Sequence, residues 1–303
     1  MLKYTIIVGY PKTGTTSLQN LLFHNKNINF FDKRNFLEKK NRFKEKLFGK
    51  LNYFLKLKYK KKNSFDFEKN TFFVSRLIDY HITNNDLNID NDQLVHLRKI
   101  LFENSTVDKD NFIEIGIIRP GLIEKSLKNL KLLLEGQDVT ILITFRNNVD
   151  FLRSRINHDL KIFPKTSKIN SINDIISEKE CKYPWCLFKE KCFSNCQLIK
   201  VKTYCKLYLD YYLTYQEIEK YFDKIKVNIF EYGIQNEIKL NFPNLEIFSN
   251  EKSDQKLNVS THKISREFIL SILDDNFKKN IKTSNYKLQN LIKRKLPDKY
   301  FYF

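Results

Sequence analysis

One stretch of the sequence has residue types and spacing suited to holding a phosphate-like anion: Gly9-Tyr10-Pro11-Lys12-Thr13-Gly14-Thr15-Thr16-Ser17-Leu18. Two glycines bracket a single lysine, and three hydroxyl side chains follow. The β-branched run Tyr4-Thr5-Ile6-Ile7-Val8 before it reads as a strand, and the segment after it, roughly 15–24, reads as a helix. In that context the N–H groups of the loop, and of the helix it opens, point at an anion. The chain has only seven glycines and spends two of them here, where a side chain would block close approach. The bland alternative is an ordinary strand-to-helix turn. The nucleoside-triphosphate template G-x-x-x-x-G-K-[ST] is met by Gly9, Gly14 and Thr16, but its lysine position holds Thr15. The only lysine of the loop is Lys12, inside it. A γ-phosphate clamp is therefore not built in its usual place, and a shorter anion fits better.

The run from Pro11 to Leu18 resembles the 5′-phosphosulfate loop of sulfotransferases that use 3′-phosphoadenosine 5′-phosphosulfate (PAPS), whose pattern is P-K-[ST]-G-T-T-x-L. That family has a second motif: a strand, an arginine, then a helix bearing serine eight residues on. Ile141-Leu142-Ile143-Thr144-Phe145-Arg146 followed by Ser154 has this form, about 130 residues further along and in the expected order. The bacterial sulfotransferases that act on surface glycans or other small acceptors are the branch it is most similar to. The resemblance implies that Lys12, Thr13, Gly14, Thr15, Thr16 and Ser17 hold the 5′ end of PAPS, and that Arg146 and Ser154 bind its 3′-phosphate. It also implies that Lys12 acts in catalysis, reaching the bridging oxygen as the sulfate bond breaks, and that no metal is required. The chemistry is consistent with this. An arginine where a parallel strand ends lies at the ligand-binding edge of an open α/β sheet and can grip a phosphate bidentately. Asn147 or Asn148 can cap the next helix, with Asp150 in its first turn. Read alone, Arg146 would be a surface arginine paired with a carboxylate.

Transfer to a hydroxyl or amine also needs a proton acceptor, usually Glu or His. Asp32 leads, from Phe31-Asp32-Lys33-Arg34-Asn35-Phe36-Leu37-Glu38, with Glu38 beside it. His158 and Asp159 follow the Ser154 segment. Glu114 is expected early in its strand, away from the carboxyl edge. Taken singly, each side chain reads better as a solvated or salt-bridged group, which leaves open a nucleotide-binding member of weak catalytic power.

The elements that must position these residues alternate between strand and helix. Short strands are expected at 28–31, 112–118, 139–145 and 227–232, each a near-continuous apolar run. Helices are expected over 36–62, largely over 72–102, over 122–134 with Gly136 as its stop, over about 149–162 with Pro164 beyond, and over 206–222. Residues 241–261 read as loop, and two helices finish the chain. This pattern predicts an α/β fold with a central parallel sheet flanked by helices in three P-loop-like layers. One domain over 1–303 is expected, with a basic helical insertion at about 36–102 and an irregular, cysteine-bearing segment at about 164–205.

Composition bounds the remainder. The chain has 54 Lys+Arg against 35 Asp+Glu, a net charge of +19. Forty-four of the basic residues are lysine and ten arginine, whereas reading phosphates and bases favours arginine, so a nucleic-acid partner is not expected. Residues 33–62 alone carry net +11, from 13 Lys/Arg and 2 Asp/Glu. That run, with the basic and aromatic tail 293–303, suits a solvated face, an anionic acceptor or the surface of a membrane. Cys181, Cys186, Cys192 and Cys196, spaced C-x₄-C-x₅-C-x₃-C, match zinc sites poorly and read better as unligated thiols. With no apolar run of membrane-spanning length and no leader pattern at Met1, a cytoplasmic location is expected, extending to the inner membrane face. The expected activity is sulfuryl transfer to a small-molecule or glycan acceptor. A small-molecule kinase is the alternative, and Thr15 argues against it.

Overall fold

The first strand shows why a parallel sheet forms. In β1 (Lys3–Gly9) every residue from Tyr4 to Val8 is buried, which requires cover on both faces. Tyr4, Ile6 and Val8 join one apolar cluster, and Ile7 joins another. This is the two-residue alternation of a strand with helices above and below. The computed structural model describes residues 1–9, 15–23, 25–31, 71–83, 91–116, 123–162, 209–245, 264–273 and 275–303.

Among the described residues the sheet has five parallel strands in the order β2-β3-β1-β4-β5. They are β1, β2 (Ile28–Phe31), β3 (Asp110–Ile115), β4 (Asp138–Phe145) and β5 (Lys224–Ile229). One face is covered by α1 (Thr15–Phe23) and α7 (Ile234–Asn241), through Leu18, Leu22, Ile234 and Ile238. The other carries α2 (Thr71–Thr83), α3 (Asn91–Glu103), α4 (Ile123–Leu133), α5 (Asn148–Ile162), α6 (Tyr211–Glu219), α8 (Arg266–Ile272) and α9 (Asp275–Leu291). The expected three layers are therefore present. Fully burying one such Leu or Ile stabilises the fold by roughly 1.5–3 kcal/mol, so the aligned apolar runs of the strands dominate the energetics.

Several boundaries differ from expectation, each for a local reason. The last strand stops at Ile229 rather than at residue 232. Phe230–Tyr232 form a 3-10 turn, and Gly233, at φ +86°, leads into α7, which was not anticipated. The third strand ends at Ile115, and the next N–H, on Gly116, donates to Asp79 Oδ1 on α2 at 2.6 Å. The helix expected over 206–222 is α6, which begins only after Asp210, whose side chain accepts from Leu213 N–H as an N-cap. Its residues 206–208 lie outside the described residues. Helices α2 and α3, expected within an insertion, contribute Val74, Ile78, Ile82, Leu97 and Leu101 to the main core and link β2 to β3. Residues 36–70 and the segment 164–205, with all five cysteines, lie outside the described residues. Among the described residues no helix is long and apolar enough to cross a membrane.

Candidate functional site

Register brings the two motifs together. β1 and β4 are parallel neighbours, Gly9 pairs with Thr144, and Phe145 pairs with Ile229 of β5. Gly9 and Arg146 therefore stand at the same carboxyl edge of the sheet, where open α/β folds bind ligands. Helix α1 begins at Thr15, so its N-terminal end opens at that edge.

Arg146 is half-buried, with its guanidinium 4.7 Å from the centroid of the Phe230 ring. Its carbonyl accepts from the Tyr211 hydroxyl at 2.6 Å, and Tyr211 stacks on Phe145. Burial pushes the Arg146 pKa down, against the attraction of Asp150 and Glu231. It nevertheless remains a cation at any working pH. Asn147 is the N-cap of α5, as one of the two expected candidates: its Oδ1 accepts from Asp150 N–H at 3.1 Å. The same oxygen accepts from Arg266 at 2.9 Å, and its amide nitrogen donates to the Lys299 carbonyl at 2.6 Å.

Charge concentrates beside this cap. Asp150 meets Arg153 at 3.5 Å, Arg266 at 3.5 Å and Lys299 at 3.3 Å. Lys299 also reaches Glu231 at 3.5 Å. With Arg146, four cations face two largely buried carboxylates, and Glu267 lies exposed near Arg153 and Arg266. The local balance is positive, which suits an anion. Asp150 and Arg153 were visible as neighbours in sequence; Arg266 and Lys299 come from more than 110 residues further on, and no local signal marked them.

Ser154 is half-buried on α5, on the same face as Asp150 four residues earlier. Ser17 is half-buried in the first turn of α1, between the loop and the buried Leu18. Glu114 needs correction. Because β3 stops at Ile115, Glu114 is its penultimate residue, pairs with Ile7 two residues before Gly9, and so lies close to the carboxyl edge. By strand alternation it shares the α1 face with Phe112. Lys12, Thr13, Gly14, Asp32 and Glu38 lie outside the described residues, as do the side chains of Thr15, Thr16, His158 and Asp159 and all five cysteines. Among the described residues no group of three or more His, Cys, Asp or Glu side chains could hold a metal ion.

A parallel sheet covered on both faces, with the glycine-bracketed segment following its central first strand in sequence and Arg146 following the neighbouring strand, defines a P-loop-like α/β protein. The chain belongs to the sulfotransferase domain family, whose model matches residues 2–243. That span contains both motifs, and membership supports a transferase, with sulfotransfer as its general activity. Among curated proteins none matches the chain. A solved structure from a study of the PezAT chromosomal toxin-antitoxin system of Streptococcus pneumoniae is 12% identical, over 97% of this chain and 88% of that one. Its TM-score is 0.30, too low to carry an argument.

Proposed function

We propose that the protein transfers a sulfuryl group from PAPS to a hydroxyl or amine of an acceptor, a surface glycan or its precursor. The observation that supports this most is the register of Gly9 against Thr144, which sets the end of β1, from which the Lys12 segment continues in sequence, beside the end of β4, which Arg146 follows. PAPS carries negative charge at both its 5′ and 3′ ends, so it needs two separated anion grips. The residues fit that demand: the loop from Lys12 to Ser17 for the 5′-phosphosulfate, and Arg146 with Ser154, beside the cation surplus around Asp150, for the 3′-phosphate.

The donor supplies the sulfuryl group, whose bond to the oxygen bridging to the 5′-phosphate breaks as the acceptor atom bonds to sulfur. Lys12 stabilises the charge left on that oxygen, and the N–H groups and hydroxyls of Gly14, Thr15 and Thr16 hold the 5′-phosphate. Asp32, directly after the end of β2, takes the acceptor proton. Glu114, near the same edge, is the second choice. The kinase alternative remains disfavoured by Thr15 at the template's lysine position.

Thermal unfolding tests this directly. Saturation with 3′-phosphoadenosine 5′-phosphate at about 100 times its Kd stabilises by about 2.7 kcal/mol, a rise of several degrees in Tm. ATP with Mg²⁺ gives a smaller shift. A shift with ATP alone, or with neither nucleotide, would remove the PAPS reading.

A further inference from the structure

The peptide after Arg146 is held by Glu231, which is held in turn by a side chain from the far end of the described chain. The Asn147 N–H donates to Glu231 Oε1 at 2.9 Å, and the Tyr300 hydroxyl donates to Glu231 Oε2 at 2.7 Å. We propose that Tyr300 and Glu231 are a positioning pair that fixes the Arg146–Asn147 peptide, so that the Tyr300 hydroxyl sets the nucleotide affinity of a site it does not touch. This rests on the PAPS reading above.

The peptide in question is the link between β4 and α5. Its N–H has left the sheet ladder and precedes the first helical turn, so neither element supplies it an acceptor. Glu231 does so from across 84 residues of sequence. It can because β5 gives way to a 3-10 turn at Phe230–Tyr232, which brings Glu231 to the end of β4. The Glu231 side chain is 6% exposed and takes Lys299 as a third partner at 3.5 Å. A carboxylate so deeply placed depends on having its donors arranged around it.

Tyr300 is one of those donors and is itself rigidly seated. It is fully buried, its N–H donates to the Pro297 carbonyl, and its own carbonyl accepts from Asn285 Nδ2 at 2.8 Å. The same amide nitrogen donates to Asn148 Oδ1 at 3.0 Å, so α9 ties the tail to the start of α5. Burial and the neighbouring Glu231 hold the Tyr300 pKa well above the usual tyrosine range, which keeps the hydroxyl a donor. The tail that looked in sequence like an interfacial anchor thus turns Leu296 and Tyr300 inward.

The coupling to Arg146 has two routes. Glu231 fixes the peptide from which the Arg146 side chain springs. Phe230, the residue before Glu231, supplies the ring beneath the guanidinium. Releasing Glu231 frees both the base of the arginine and the surface on which it lies. A grip held less firmly forms fewer aligned phosphate contacts at the same charge.

Tyr300→Phe removes the hydroxyl and keeps the ring. Isothermal titration with 3′-phosphoadenosine 5′-phosphate is made on the wild type, Tyr300→Phe, Arg146→Ala and the double variant, with melting curves for each. Expected is about tenfold weaker binding for Tyr300→Phe, equivalent to about 1.4 kcal/mol. In the Arg146→Ala background the same change should matter less than about twofold, because a positioning effect needs the residue it positions. Glu231→Gln, which keeps the shape but weakens both acceptors, should act in the same direction, and it carries the test if Tyr300→Phe fails to fold. Unchanged affinity in Tyr300→Phe, or an equal loss with and without Arg146, would overturn the pairing while leaving the PAPS reading intact. A wild type that does not bind the nucleotide would overturn both.

Discussion

Gly9 lies in register with Thr144, two residues before Arg146, although 135 positions separate them in sequence. That pairing sets the strand ends that carry two distant motifs side by side at one edge of the sheet. It exists because β4, buried from Ile141 to Phe145, lies beside β1, buried from Tyr4 to Val8, with both strands running the same way. Neither motif carries information about the other. Their meeting is a consequence of apolar runs that have to be covered on both faces.

The two grips should fail differently. On the proposed mechanism Lys12→Ala should abolish transfer, because Lys12 there stabilises the charge that develops on the leaving oxygen. Arg146→Ala should weaken 3′-phosphoadenosine 5′-phosphate binding by about 10- to 100-fold, as expected for losing a charged hydrogen-bonding group worth about 1.5–3 kcal/mol. Turnover and titration calorimetry on the two variants check this. Full activity in either would refute its assignment.

A second arginine should affect stability rather than binding. Glu237 on α7 is 1% exposed, and its Oε2 accepts from Ile229 N–H at 2.7 Å and from Arg294 at 2.6 Å. Arg294→Ala strands that carboxylate beside the end of β5. Arg294 retains some contact with water, so the cost should fall near the low end for broken buried pairs, about 3 kcal/mol. Denaturant melts should show it as a lower midpoint at unchanged slope.

The sheet, and the place of Arg146 at the end of β4, were legible because each is written locally. A β-branched run needs no partner to be recognised as a strand, and glycine spacing needs no fold to be read. What was illegible is whatever depends on contacts made at long range. The end of β5 is an example. Val227-Asn228-Ile229-Phe230-Glu231-Tyr232 has the residues of a continuing strand, but Glu231 is drawn off to the Asn147 N–H and Tyr300. Glu114 is another: it looked remote only because the strand was expected to run on to Ile118, whereas Gly116 is captured by Asp79. Arg266 and Lys299 reach Asp150 from segments whose sequence says nothing about α5. The cap was legible down to a choice of two adjacent asparagines, and the structure selects Asn147.

The stop after α4 offers a test of backbone conformation alone. Gly136 has φ +77°, and a Cβ built there meets nothing within 4 Å. Gly136→Ala should therefore destabilise without any clash, by about 1 kcal/mol, from forcing an L-residue into the left-handed region. Gly136→Asn should cost less, since asparagine visits that region more readily. Urea titrations of the three proteins distinguish this from a packing effect, which would penalise the larger asparagine more.

Alkaline pH should expose the role of Tyr4. Its ring is buried at the start of β1, and its hydroxyl lies 2.6 Å from Ser105 Oγ. Burial raises its pKa from 10.0 to about 12, with the Ser105 hydrogen bond opposing. The unfolded chain therefore releases this proton first. The stability that Tyr4 contributes is fully present below pH 10 and is lost progressively as pH rises toward about 12. Tyr4→Phe removes the titrating group, so stability should fall less steeply with pH above 10 in the variant than in the wild type. Urea melts of both proteins at a series of pH values from 8 upward provide the comparison. Parallel curves would mean that Tyr4 ionises in the folded protein as readily as in the unfolded chain.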